Sequence, residues 1–94
     1  MAITLKFIGA LRHASGADSL AVNCKKTISL MDIVNEVTRE APSLRRSLLD
    51  EQLDEPKPNA LILVNGKEIS VLKGLDTKVK DGDEIVFVPV VHGG

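Results

Sequence analysis

The chain opens with a strict alternation of apolar and polar residues. Ile3, Leu5 and Phe7 fall on one side of this segment, whereas Thr4 and Lys6 fall on the other. A period of two is typical of a strand with one buried face, so the pattern predicts a strand over 3–8. A second alternation predicts a strand over 20–24, and the stretch 9–16, which carries two glycines, is expected to be the connection of a hairpin.

The spacing changes to that of a helix after residue 29. The apolar residues then recur at intervals of three and four positions, and they are Leu30, Ile33, Val34 and Val37. This spacing places them on one face of an amphipathic helix. Ser29 can cap its first turn and Pro42 prevents its continuation, so we expect the helix over about 30–40.

The second half of the chain predicts a short helix, a loop and a hairpin. Leucines near helical spacing predict the helix within 43–53, and two prolines in the segment 54–59 predict an irregular loop. An apolar run over 60–64 precedes Asn65-Gly66. Asn-Gly is the strongest two-residue hairpin signal, so we expect strands over 60–64 and 67–70.

A turn at 81–83 precedes the last predicted strand, over 84–89. Ile85 and Phe87 lie on one face of this strand, and Val86 and Val88 lie on the other. The order of elements predicts an α+β fold with one main helix on a mixed sheet. With the first and last strands central and parallel, this is the ubiquitin-like β-grasp arrangement. We expect it to occupy residues 1–89, followed by a flexible tail over 90–94.

Composition narrows the classes of function. The 94 residues suit one domain, and the formal net charge of −1 without a basic stripe argues against direct nucleic-acid binding. Without a nucleic-acid surface, we expect protein partners. No apolar run could span a membrane, and the N-terminus lacks the pattern of a signal peptide, so we expect the cytoplasm. Cys24 is the only cysteine and is predicted to pack in the core. We expect no metal ion and no bound cofactor.

The segment after Pro89 ends in Gly93-Gly94. A terminal carboxylate has a pKa of about 3.5 and is an anion at neutral pH, so it is a poor electrophile until it is activated. Coupling to AMP would supply a leaving group. Glycines permit close approach to another protein, and a five-residue tail reaches at most about 17 Å. This pattern favours a chain that works through its terminal carboxylate.

These features together resemble the ubiquitin-like sulfur-carrier family. That family comprises the molybdopterin synthase small subunit, ThiS, the ubiquitin-related modifier and the archaeal small modifier proteins. The resemblance covers nearly the whole chain, and its clearest parts are Phe7–Arg12, Leu61–Gly66, Leu75–Glu84, Val86–Pro89 and Gly93-Gly94.

The resemblance implies a carrier or cosubstrate that is not itself an enzyme. A ubiquitin-activating-like adenylyltransferase and sulfurtransferase would use ATP to adenylate Gly94, which would then become a thiocarboxylate. The sulfur would serve tRNA thiolation, or Gly94 would be joined to lysines of target proteins. An alternative is the small subunit of molybdopterin synthase, which inserts its tail into the large subunit. A lone Pro89 and His92 depart from that subunit's pattern. A third reading is a β-grasp interaction module without tail chemistry.

Two further groups of residues complete the predicted site. Val91, His92 and Gly93 would be held by the partner that receives the tail. Ile8, Val86 and Val88 share the outward phase of their strands and predict an apolar docking patch. The resemblance adds Arg12, because it follows the first strand at a position through which members of the family contact their activating enzyme.

Overall fold

The computed structural model describes residues 2–52 and 54–90. Its strands are β1 (Ile3–Phe7), β2 (Ser19–Val22), β3 (Ile28–Ser29), β4 (Leu49–Asp50), β5 (Lys57–Pro58), β6 (Ala60–Val64), β7 (Lys67–Glu68), β8 (Lys78–Val79) and β9 (Glu84–Pro89). Its α-helices are α1 (Leu11–Ser15), α2 (Leu30–Thr38) and α3 (Pro42–Leu48), and single 3₁₀ turns cover Ile69–Val71 and Gly74–Asp76.

Five strands form the main sheet, in the order β2-β1-β9-β6-β7. The first and last strands lie side by side and parallel, and the other pairs are antiparallel. The pairs β3-β8 and β4-β5 stand apart from this sheet. The predicted α+β fold of the ubiquitin-like β-grasp type is therefore confirmed.

The core lies between the helices and one face of the sheet. The inward residues of β1, β6 and β9 are buried, and they pack with the apolar faces of α2 and α3. The rings of Phe7 and Phe87 stack, with centroids 5.3 Å apart. Alternation in β1 and β9 therefore identified the buried face correctly, because Ile3, Leu5 and Ile85 have no exposed surface.

The main helix follows the predicted stripe. The Ser29 hydroxyl accepts a hydrogen bond from the Asp32 amide at 3.1 Å, as expected for an N-cap. Leu30, Ile33 and Val34 are fully buried. The helix ends at Thr38, two residues earlier than predicted.

Further expectations from the sequence were wrong in detail, beginning with the first strand, which ends at Phe7 and not at residue 8. The connection over 9–16 contains the helix α1, which buries Leu11, ends at Ser15 and is capped by Gly16 in the left-handed conformation. The strand expected over 67–70 stops at Glu68, where the chain enters a 3₁₀ turn. The loop over 54–59 contains β5, which pairs with β4. The strand expected over 20–24 ends at Val22, so Cys24 lies beyond it, half-buried against the core.

The helix predicted within 43–53 is confirmed as α3 only up to Leu48, because Leu49 and Asp50 form β4 and pair with β5 instead. Leu53, the last of the leucines near helical spacing, lies outside the described residues. Arg45 of this helix donates two hydrogen bonds to the Glu51 carboxylate, at 2.9 and 3.0 Å. These bonds lower the pKa of Glu51 and raise that of Arg45. The paired side chains join α3 to the segment that follows β4.

A polar network joins β6 to β9 at the end of the sheet away from the tail. Asn65 adopts a positive φ of 51° in the turn after β6. Its side chain donates to the Asp83 carboxylate at 3.0 Å and accepts from the Glu84 amide at 2.9 Å. Asp83 is buried and also accepts from the Lys80 amide. Burial opposes its ionisation, but the hydrogen bonds from Asn65 and Lys80 prevail, so its pKa lies below the usual value.

Candidate functional site

The predicted tail begins where the central strand β9 ends. This strand pairs with β1 on one side and with β6 on the other, up to Pro89. Val90 follows and is 47% exposed. The remaining predicted tail residues, Val91, His92, Gly93 and Gly94, lie outside the described residues. The predictions for them therefore stay predictions, but their point of departure from the domain is defined.

An apolar surface lies on the outer face of the sheet beside that point. Ile8 is 45% exposed, and Val86 and Val88 are half-buried on the face opposite the helices. The outward direction predicted for these side chains is therefore confirmed. The structure adds Leu61, which pairs with Val88, and Leu63, which pairs with Val86. We call these five residues, Ile8, Leu61, Leu63, Val86 and Val88, the outer patch.

The sequence did not predict that Leu61 and Leu63 belong to the outer patch. The run Ala60–Val64 is apolar at every position, so it gives no phase to separate inward from outward side chains. Ala60, Ile62 and Val64 are buried, whereas Leu61 is 39% exposed. The signal that could have found Leu61 and Leu63 is the pairing of this run with the alternating strand β9.

Charged groups border the outer patch on the β1 side. Lys6 lies next to Val86 in the parallel register, and its ammonium group is 3.0 Å from the Glu84 carboxylate. Arg12 lies on α1, where its Nη1 is 3.9 Å from Asp18 Oδ1 and its Nε donates to the Gly9 carbonyl. More than half of the Arg12 side chain is exposed, so its guanidinium group is available to a partner. The structure thus places Arg12 near Ile8, and the role of Arg12 in binding a partner stays a prediction.

Gly9 and Pro89 lie in contact at the end of the central strands. Gly9 has a positive φ of 58°. A Cβ atom added there would lie 3.3 Å from Pro89 Cγ. Because L-residues rarely adopt this backbone conformation and the gap is narrow, glycine suits the position. The two residues are therefore neighbours at the place where the pairing of β1 with β9 ends.

The residues that the structure describes contain neither a metal-binding cluster nor a membrane-crossing helix. Among residues 2–52 and 54–90, no group of three or more His, Cys, Asp and Glu side chains is placed to hold a metal ion. None of the helices described there has the length and apolar character that a bilayer crossing requires. The Cys24 thiol donates to the Lys26 carbonyl.

The β-grasp sheet and the patch beside its last strand define a small ubiquitin-like protein. The chain belongs to the ThiS family, whose model matches residues 5–94. This family membership confirms the resemblance seen in the sequence. The chain is thus a member of the family of small ubiquitin-like sulfur carriers and protein modifiers.

Individual relatives fall in the same class. The chain is 29% identical to small archaeal modifier protein 3 of Haloferax volcanii, with both chains covered completely. It is 34% identical to a ubiquitin-related modifier 1 homolog of Drosophila willistoni, again over the full length of both. Among solved structures, it is similar to a chain of the Amycolatopsis orientalis BexX/CysO complex, with a TM-score of 0.77, 26% identity and coverage of 99% of this chain and 100% of that one.

Proposed function

We propose that this protein is a sulfur carrier and protein modifier that reacts through the carboxylate of Gly94. An activating enzyme uses ATP to join this carboxylate to AMP, and pyrophosphate leaves. A persulfide of the enzyme then displaces AMP and forms an acyl disulfide. A second thiol attacks the outer sulfur of this acyl disulfide, so that a thiocarboxylate leaves and the two thiols end as a disulfide. When the protein acts as a modifier, a lysine amine attacks the activated Gly94 carbonyl, so that an isopeptide bond forms and AMP and a proton leave.

The observation that supports this proposal most directly is the position of the tail on the sheet. The tail follows a strand that is held on both sides by β1 and β6, so its starting point is fixed relative to the outer patch. A partner that covers Ile8, Leu61 and Val88 would therefore meet the tail at a defined place. The outer patch supplies docking area, and the adjacent segment supplies the reacting group.

The partners that we propose follow from this arrangement. The first is a ubiquitin-activating-like adenylyltransferase that docks on the outer patch and receives Val91, His92 and Gly93 in a narrow channel. Glycine suits such a channel because it has no Cβ atom. ATP is consumed by that enzyme, and the carrier itself is proposed to hold no cofactor. The second class of partner is the acceptor of the sulfur or of the acyl group.

Pyrophosphate exchange tests the proposal. The purified protein is mixed with the activating enzyme of the same cell, ATP and labelled pyrophosphate, and label incorporation into ATP is followed. We expect exchange with the intact chain and none after deletion of Gly94 or addition of one residue beyond it. Equal exchange by the Gly94-deleted protein would contradict the proposal. A β-grasp interaction module would bind a partner equally well with and without Gly94.

A further inference from the structure

Along β9, the backbone groups of odd-numbered residues face β1, and those of even-numbered residues face β6. Asp83 and Phe87 accept bonds from the β1 side, from the amides of Thr4 and Ile8, at 3.0 Å each. The Glu84 carbonyl instead accepts from Asn65, at the end of β6. Because backbone groups alternate in direction along a strand, the backbone groups of residue 89 face β1.

Pro89 removes one particular bond from this pattern. In a parallel ladder, a residue donates to one partner and accepts from the residue two positions further along that strand. Ile8 donates to Phe87, so its carbonyl would accept from the amide of residue 89. Proline has no amide hydrogen. The Ile8 carbonyl accepts from Leu11 instead, at 3.2 Å, and β1 therefore pairs with β9 no further.

Gly9 completes the arrangement. Its positive φ turns the chain out of β1 directly after Ile8, and its missing side chain leaves room for the Pro89 ring, whose Cγ lies 3.3 Å from the position of a Cβ. The ladder thus ends through two independent features, the missing donor at Pro89 and the turn at Gly9. The pairing between Ala60 and Pro89 on the other side of β9 is retained.

We infer that Gly9 and Pro89 are positioning residues that end the β1–β9 ladder and set the direction in which the chain leaves the sheet towards Gly94. Neither residue is part of the reacting group, the Gly94 carboxylate. They act on the segment that follows, by keeping it from continuing along β1 towards α1. This inference rests on the proposed function only for its catalytic consequence, because the end of the ladder is a property of the isolated domain.

The first test measures pairing without any partner. Pro89→Ala restores an amide hydrogen at residue 89 without adding bulk. We expect this amide to exchange slowly with deuterium, because it can donate to the Ile8 carbonyl in competition with Leu11. Nuclear Overhauser contacts between Gly9 and Pro89 are expected in the unaltered chain. Rapid exchange of the residue 89 amide, or absence of those contacts, would overturn the inference.

The second test measures delivery of the tail in pyrophosphate exchange. Pro89→Ala and Gly9→Ala leave the outer patch intact, so the KM of the activating enzyme for the carrier should stay within about threefold. The kcat of exchange should fall about tenfold or more, because misplacement of a reacting group slows the reaction strongly. Gly74→Ala and Pro58→Ala are the matched controls. Gly74 has a φ of 57°, but a Cβ there meets nothing within 4 Å, and Pro58 is an exposed residue of β5.

The outcomes separate the inference from the proposed function. Unchanged kcat for both Gly9→Ala and Pro89→Ala would overturn the inference, as would an equal loss in the Gly74→Ala control. Absence of pyrophosphate exchange by the unaltered chain would contradict the proposed function. The amide hydrogen exchange of residue 89 would then test by itself whether Pro89 ends the β1–β9 ladder. Denaturation curves for each variant exclude loss of folding as the cause of a lower kcat.

Discussion

Replacement of Asn65 tests whether its polar network holds β9 in place. Asn65→Gly keeps the positive φ but removes the bonds to the Asp83 carboxylate and the Glu84 amide, at 3.0 and 2.9 Å. One of these bonds has a charged acceptor that is largely buried, so we expect a loss of about 2 kcal/mol in the free energy of unfolding. Asn65→Ala should lose about 3 kcal/mol, because alanine also incurs the cost of the left-handed backbone.

The assay is denaturant unfolding of the two variants and the unaltered chain at several pH values. The pKa of Asp83 is lower in the folded protein than in the unfolded chain. The stability linked to its ionisation is therefore present above the unfolded pKa, about 3.9, and is lost as the pH falls through the folded pKa. The difference between the unaltered chain and Asn65→Gly should shrink in that acidic range.

A double-mutant cycle with Asp83→Asn supplies the control. The effect of Asn65→Gly should be smaller in the Asp83→Asn background, because the charged acceptor is already absent. Equal losses for Asn65→Gly and Asn65→Ala would refute the argument from the positive φ. A pH-independent difference between Asn65→Gly and the unaltered chain would refute the argument from the Asp83 carboxylate.

Two further predictions concern the outer patch and the Arg45–Glu51 pair. Val88→Asp should weaken binding to the activating enzyme about tenfold or more, because a charge would be desolvated in the interface, and titration calorimetry measures this affinity. The control is Val71→Asp, which should not change the affinity because Val71 is 75% exposed and lies outside the outer patch. The carboxyl carbon of Glu51 should titrate by NMR below its usual pKa because of the hydrogen bonds from Arg45, and Arg45→Met should return the pKa towards the usual value. If Glu51 titrated at the same pH in Arg45→Met as in the unaltered chain, the Arg45–Glu51 hydrogen bonds would not be formed in solution.

Local patterns predicted those parts of the fold in which sequence and pairing agree. The alternation in β1 and β9 identified both buried faces, and Asn65-Gly66 located the turn after β6. The same alternation placed Val86 and Val88 on the outer face. Such elements carry their own phase, because side chains in a strand alternate between two faces.

Elements that depend on distant partners were not predictable in this way. The helix α1 has five residues and no side-chain cap at Ala10, so it depends on the burial of Leu11. The pairing of Leu49 with Pro58 joins segments with no strand pattern of their own. The exposure of Leu61 follows from its register with Val88, which no single segment contains.

The central claim is that the Gly94 carboxylate reacts, and the mass of the protein from its native cell tests it most directly. We expect an intact-mass fraction in which one oxygen is replaced by sulfur. We also expect tryptic peptides of other proteins in which a lysine carries the segment 81–94, because Lys80 is the last tryptic cleavage site before Gly94. Thiocarboxylate without such conjugates would restrict the role to a dedicated carrier. A Gly94 carboxylate that is unmodified throughout, with no conjugates and no loss of cellular function when Gly94 is deleted, would contradict the account.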